Sequence, residues 1–115
     1  NGSIVIHGDG MQTRDYVFVD DVVNALVTSA TANGVDQHII NIGSGVETSV
    51  LELVRQVRDV TQRKPEEIFN PHKSGGTPRM AADISKAYEK LNYLPMTPLA
   101  AGLRLTMERD PRFKV

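Results

Sequence analysis

Arg14 is the residue in this chain whose type and placement most invite chemistry. It stands in Gly8–Val23, GDGMQTRDYVFVDDVV, between a tight GDG turn and the β-prone run YVFV. A guanidinium at the mouth of an otherwise apolar strand is either neutralised by its neighbour Asp15 or waits for an anion from outside the chain. Two more cations, Lys73 and Arg79, bracket the turn-rich segment SGGTP. A planar guanidinium binds phosphate through paired hydrogen bonds, whereas an ammonium acts as a point charge. Three cations on two loops suit a diphosphate, provided that something brings the loops together.

Other chemical-looking features have plainer accounts. Gly43-Ser44-Gly45 lies ahead of a helix, where a phosphate-cradling loop would lie, but Thr48 replaces the third glycine of GxGxxG and Glu47 adds negative charge. A tight turn explains the loop better. Asp20 and Asp21 are rewarded at a helix start by capping and by the helix dipole, without any catalytic role. His7 closes an apolar strand and reads as a hydrogen-bonded histidine. His7, His38 and His72 lack metal-ligand spacing, so no metal site is predicted. The absence of cysteine excludes disulfides, thiolate metal sites and cysteine nucleophiles.

A formal net charge of -1 with mixed signs gives no pull toward nucleic acid or an anionic membrane. Arg55, Arg58, Arg63 and Lys64 make a locally basic stretch, but Glu52 and Asp59 lie among them, as on a solvated helix face. No apolar run approaches the roughly 18 residues of a membrane span, and a soluble, cytoplasmic protein is expected.

The elements that must hold these residues alternate in type. Ser3–His7 (SIVIH) reads as a strand, and Arg14–Val19 as a second one with Arg14, Tyr16 and Phe18 on one face. Asp20 is the expected N-cap of a helix carrying Val22, Val23, Leu26, Val27 and Ala30 and stopping at Asn33-Gly34. His38–Ile42 (HIINI) reads as a buried parallel strand. Ser49 and Glu52 form a capping box for a helix whose inner stripe is Val50, Leu53, Val54 and Val57. EEIFNP supplies a further strand, Asp83 caps a helix through Leu91 with Ile84, Ala87 and Leu91 inward, and Thr97-Pro98 opens a last helix toward Met107. One compact α/β unit over residues 1–115 is the natural reading.

Three stretches in order, GDGMQTRDYVFVDDVV, IINIGSGVETSVLELV and MAADISKAYEKLNYLPMTPLAAGLRLTME, resemble the carboxy-terminal part of the NAD-dependent nucleotide-sugar epimerase/dehydratase family. These are extended short-chain dehydrogenases, UDP-glucose 4-epimerase among them, and the resemblance runs from Ser3 to about Asp110. It implies an α/β fold of mixed short strands and about four helices around an incomplete Rossmann sheet. Residues 1–115 would be the substrate-binding portion, without the amino-terminal NAD-binding Rossmann part.

By position, the resemblance implies that Val5, Ile6 and His7 lie along the nucleotide base, largely through backbone groups. Arg14 would bind the diphosphate, and Asn41 would lie near the nucleotide, with Ile40 where tyrosine is usual. The family's second phosphate-binding arginine opens an RxGD pattern; here Lys73-Ser74-Gly75-Gly76 stands instead. Arg79 either substitutes for it or pairs with an acid. The catalytic YxxxK pair is not present, since Tyr16, Tyr88 and Tyr93 are followed four residues later by Asp20, Asn92 and Thr97. No catalytic residue is therefore predicted, and NAD is expected in the intact parent enzyme but not on these residues alone. The implied function is binding of the nucleotide diphosphate of a nucleotide sugar, with UDP-sugar first in line, in a homo-oligomer that engages neither nucleic acid nor membrane. The alternative is a stand-alone, non-catalytic nucleotide-binding or interaction module.

Overall fold

Ser3–His7 forms strand β1, whose alternation buries Ile6 to 2% exposure while leaving Val5 and His7 exposed. The computed structural model describes residues 2–113. β1 pairs in parallel with β4 (Glu66–Asn70), and Ile6 lies opposite Phe69 and His7 opposite Asn70. A second, antiparallel pair joins β2 (Thr13–Arg14) to β3 (Thr48–Ser49), with Arg14 facing Thr48. The described residues also form four helices, α1 (Val19–Ser29), α2 (Val50–Thr61), α3 (Ser85–Leu91) and α4 (Leu99–Arg109), followed by a 3-10 turn at Pro111–Phe113; α2 packs on β3 and on α4, and α1 on α3. Among the described residues the result is the expected mixed α/β arrangement of four helices and short strands, the strands falling into two separate two-stranded sheets.

Ser49 caps α2 as its sequence promises, its Oγ accepting from the Glu52 amide at 3.1 Å. The reciprocal half of the box is replaced by side-chain bonds. Glu52 instead binds Arg55 and Gln56, whose hydrogen bonds, Arg55's foremost, hold its pKa at about 2. Gln62 caps the end of α2 and Asn92 that of α3, both left-handed, with φ of 56° and 51°. The core gathers Ala25 of α1, Ala87 and Leu91 of α3, and Tyr93, with Ile40, Ile42 and Ile84 packed against it. Buried Asp21 accepts from the amides of Met96 and Thr97, both at 3.1 Å, and so fastens the first turn of α1 to the approach to α4.

Several boundaries depart from the sequence reading. The second strand stops at Arg14 instead of reaching Val19, because its ladder with β3 ends at the Arg14–Thr48 pair and no described strand offers backbone partners beyond it. Phe18, not Asp20, occupies the N-cap of α1, and Asp20 lies within the first turn, bound by Arg109 at 2.8 Å. α1 also ends at Ser29, before Asn33-Gly34, where the Thr28 carbonyl accepts from both Thr31 and Ala32 and tightens the chain into a turn. His38–Ile42 is not a strand: Ile40 and Ile42 face the core, but Ile39 is 85% exposed and no neighbouring ladder supplies backbone partners among the described residues. Asp83 acts one position further out than predicted, accepting from Ser85 N at 3.0 Å while Ile84 holds the N-cap. Likewise Pro98, not Thr97, precedes the first residue of α4, which runs beyond Met107 to Arg109.

Candidate functional site

Thr13, Arg14 and Asp15 hold two distant loops together. Thr13 receives the loop at residues 78–80 from both sides: its amide donates to Pro78 O at 2.9 Å and its Oγ1 accepts from Met80 N at 3.3 Å. The same hydroxyl donates to Glu47 Oε1 at 2.9 Å. Arg14 Nη1 donates to the carbonyls of Thr13 and Thr77, each at 2.6 Å, and Nη2 to the carbonyl of Gly75 at 2.8 Å. Asp15 points to the other loop. Its Oδ1 accepts from Ser44 N (2.7 Å) and Ser44 Oγ (2.6 Å), and its Oδ2 from Gly45 N (2.9 Å) and Ala82 N (3.0 Å). Partial burial pushes the Asp15 pKa up, but the Ser44 hydroxyl and then the three amides outweigh it and hold the carboxyl below its usual range.

Arg14 therefore does not form the local ion pair with Asp15 that its sequence position offered. Backbone carbonyls of the glycine-rich loop take its charge instead. The GDG turn closes on the same loop. Gly8 adopts φ +70° with Gly75 N only 3.5 Å from where a Cβ would sit, and Gln12 Nε2 donates to His7 O at 3.0 Å. A Cβ on Gly75 would collide with the Gln12 amide. The end of β1, with Val5, Ile6 and His7, is thus brought beside Arg14 and the loop that carries Lys73. The Ile6 side chain belongs to the core, so that residue can offer a ligand only its backbone.

Two predicted site residues have no side-chain bond to Arg14, Arg79 taking the acid-pairing alternative. Arg79 is committed to Glu47, with Nη2 2.6 Å from Oε2 and Nε 3.0 Å from Oε1. The Arg79 and then the Thr13 hydrogen bonds hold the Glu47 carboxyl below its usual range. Asn41 is exposed, and no side-chain hydrogen bond joins it to the other candidates among the described residues. Lys73 is exposed and has no ion pair among the described residues. Thr13, Gln12 and Asp15 had no part in the predicted site, since bonds from side chains to loop backbone leave no pattern in the sequence.

The amides of Ser44 and Gly45 bear on the cofactor. In a dinucleotide fingerprint such amides receive a phosphate; here they are filled by the Asp15 carboxylate. This loop does not fit NAD. A groove of about 620 Å³ between α2 and the start of α4, lined in part by Tyr16, Gln56, Leu99 and Arg104, contains none of the predicted site residues. No described helix is long and apolar enough to cross a membrane.

The chain is similar to known proteins over most of its length. The NAD dependent epimerase/dehydratase family model matches residues 1–43. A UDP-glucose 4-epimerase of Mycolicibacterium smegmatis is 42% identical over 103 residues, covering 90% of this chain and 33% of that protein. The crystal structure of UDP-glucose 4-epimerase from Thermotoga maritima with UDP-glucose superimposes with a TM-score of 0.84 at 37% identity, over 92% of this chain and 34% of that one. UDP-glucuronic acid 4-epimerase from Bacillus cereus, in complex with UDP-glucuronic acid and NAD, gives a TM-score of 0.80 at 30% identity, over 88% and 32%. The chain spans about a third of the length of these relatives. In sequence and in fold the chain is similar to about a third of these epimerases, and its first 43 residues match the NAD dependent epimerase/dehydratase family model.

Proposed function

We propose that this chain holds the nucleotide diphosphate of a UDP-sugar within an NAD-dependent nucleotide-sugar epimerase or dehydratase, an isomerase of the UDP-glucose 4-epimerase kind. The observation that carries the reading is the convergence of the β1 end, Arg14 and the Lys73 loop. Val5, Ile6 and His7 line the base, Arg14 meets the diphosphate, and Lys73 adds a second positive charge. Asn41 lies at the nucleotide's margin. Arg79 serves Glu47 and supports the loops. NAD belongs on this reading to the rest of the intact protein, and no residue described here is assigned to it. A homo-oligomer in the cytoplasm is the expected setting.

Fixing the nucleotide part orients the sugar for reaction, which is how a remote binding contact contributes to rate. Titration of UDP into wild type and Arg14→Ala by calorimetry tests the reading. The variant is expected to bind about ten- to a hundredfold more weakly, the worth of a charge-assisted contact, and equal affinities would overturn it. A second reading, a non-catalytic interaction module, draws on the exposed Val23, Leu26 and Val27 of α1. The gene sequence upstream of Asn1 separates the two. A glycine fingerprint followed by YxxxK supports the enzyme, and a native start near Asn1 supports the module.

A further inference from the structure

We infer that Arg14 is also a positioning residue: through the carbonyls of Gly75 and Thr77 it fixes the backbone of the loop that carries Lys73, and so delivers a second cation to the anion. The inference rests on the proposed diphosphate reading for the anion, but the loop clamp itself rests on geometry alone.

Apart from Arg14, much of what binds this loop is local. Lys73 N and His72 N both turn back to Asn70, and Gly76 N bonds Ser74 Oγ at 3.0 Å. Such bonds shape residues 72–76 without fixing where they sit; the long-range anchors on Asn70, Pro78 and Met80, from Gly8 and Thr13, lie outside that stretch. Arg14 reaches it from 61 and 63 residues away, and it contacts two carbonyls on either side of Gly76. Gly76 itself has φ +81°, and a Cβ there would come within 3.1 Å of Arg14 Nη2, so the approach of loop to guanidinium depends on glycine. Lysine cannot reproduce the arrangement, because its donors radiate from one atom and do not span the two carbonyls.

Clamping leaves room for a ligand. A guanidinium carries five N–H donors, and three are engaged here, on Thr13, Thr77 and Gly75. The Nε hydrogen and one on Nη2 have no partner among the described residues. One side chain can therefore hold the loop and a phosphate oxygen at the same time.

A double-mutant cycle with UDP as probe, paired with amide hydrogen exchange, tests this on the full 115-residue chain. Lys73→Ala is expected to weaken UDP binding about fivefold in the wild-type background and to have no effect in Arg14→Lys, where the loop has lost its fixed place. Amides 75–77 are expected to exchange faster in Arg14→Lys. Gly76→Ala, which keeps the guanidinium but displaces the loop, is expected to lose the Lys73 contribution as well. Equal Lys73→Ala effects in both backgrounds, or unchanged exchange in Arg14→Lys with the rest of the chain folded, would overturn the inference. If wild type fails to bind UDP, the nucleotide reading falls and the exchange result alone decides the clamp.

Discussion

The hydroxyl of Tyr93 donates to the carbonyl of Gly43 across 2.7 Å of protein interior, joining the end of α3 to the turn whose next two amides are held by Asp15. Burial first, and then the charges of Asp21 and Asp15, push the phenol pKa above its ordinary value, so the group is a donor throughout the neutral range. The contact ties the small core to the loops of the candidate site.

Tyr93→Phe should therefore cost about 1–2 kcal/mol of unfolding free energy, because it leaves a buried carbonyl without a partner and changes little else. Urea denaturation of the two proteins at neutral pH measures this. A variant as stable as wild type would show that water replaces the hydroxyl.

Asp15 gives the chain an acid-sensitive joint. Its folded pKa lies below the unfolded value near 3.8, so its contribution is fully present above that value and is lost as the pH falls through the folded pKa. Asp15→Asn should remove about 2 kcal/mol at neutral pH, since an amide cannot accept at both positions. The gap between the two proteins should then shrink below about pH 4. Melting temperatures followed from pH 7 to pH 2.5 check the sign, and a gap that widens in acid would contradict it.

Gly43 has no room for a side chain. A Cβ would come within 2.6 Å of Asp15 Oδ2 and 2.7 Å of Ala82 Cβ. Gly43→Ala should destabilise by about 1–3 kcal/mol through overpacking, and amide exchange at Ser44 and Gly45 should rise with it. Calorimetric melting together with exchange distinguishes this local effect from general loosening.

The exposed face of α1, with Leu26 at 64% and Val27 at 67%, should drive the chain on its own to self-associate at high concentration. Sedimentation at rising concentration should show the association, and Leu26→Glu with Val27→Lys should abolish it. A wild type that stays monomeric at every concentration would refute the expectation.

What the sequence disclosed follows from how local each feature's cause is. β1, β4, the Ser49 cap and the Ile84-Ala87-Leu91 stripe depend on residues a few positions apart, and period and capping rules reach that far. His38–Ile42 has the composition of a buried strand, but strand state requires a partner ladder, which composition does not supply. In the candidate site, the cations were legible as residue types. Their occupations were not, because Arg14 is held by backbone carbonyls of Gly75 and Thr77, and a carbonyl is present at every position whatever the sequence.

The span of the Thr13–Asp15 staple has a consequence for biosynthesis. Arg14 finds Thr77 after 63 intervening steps along the chain, and Asp15 finds the Ala82 amide after 67. At about 5–20 residues per second, translation leaves these two side chains waiting in water for roughly 3–13 s before their partners emerge. Any nascent product that stops short of Ala82 lacks part of the staple, and β1, released early, spends that interval without β4. Within this segment, β1 and the turn after it are thus made well before the partners that hold them.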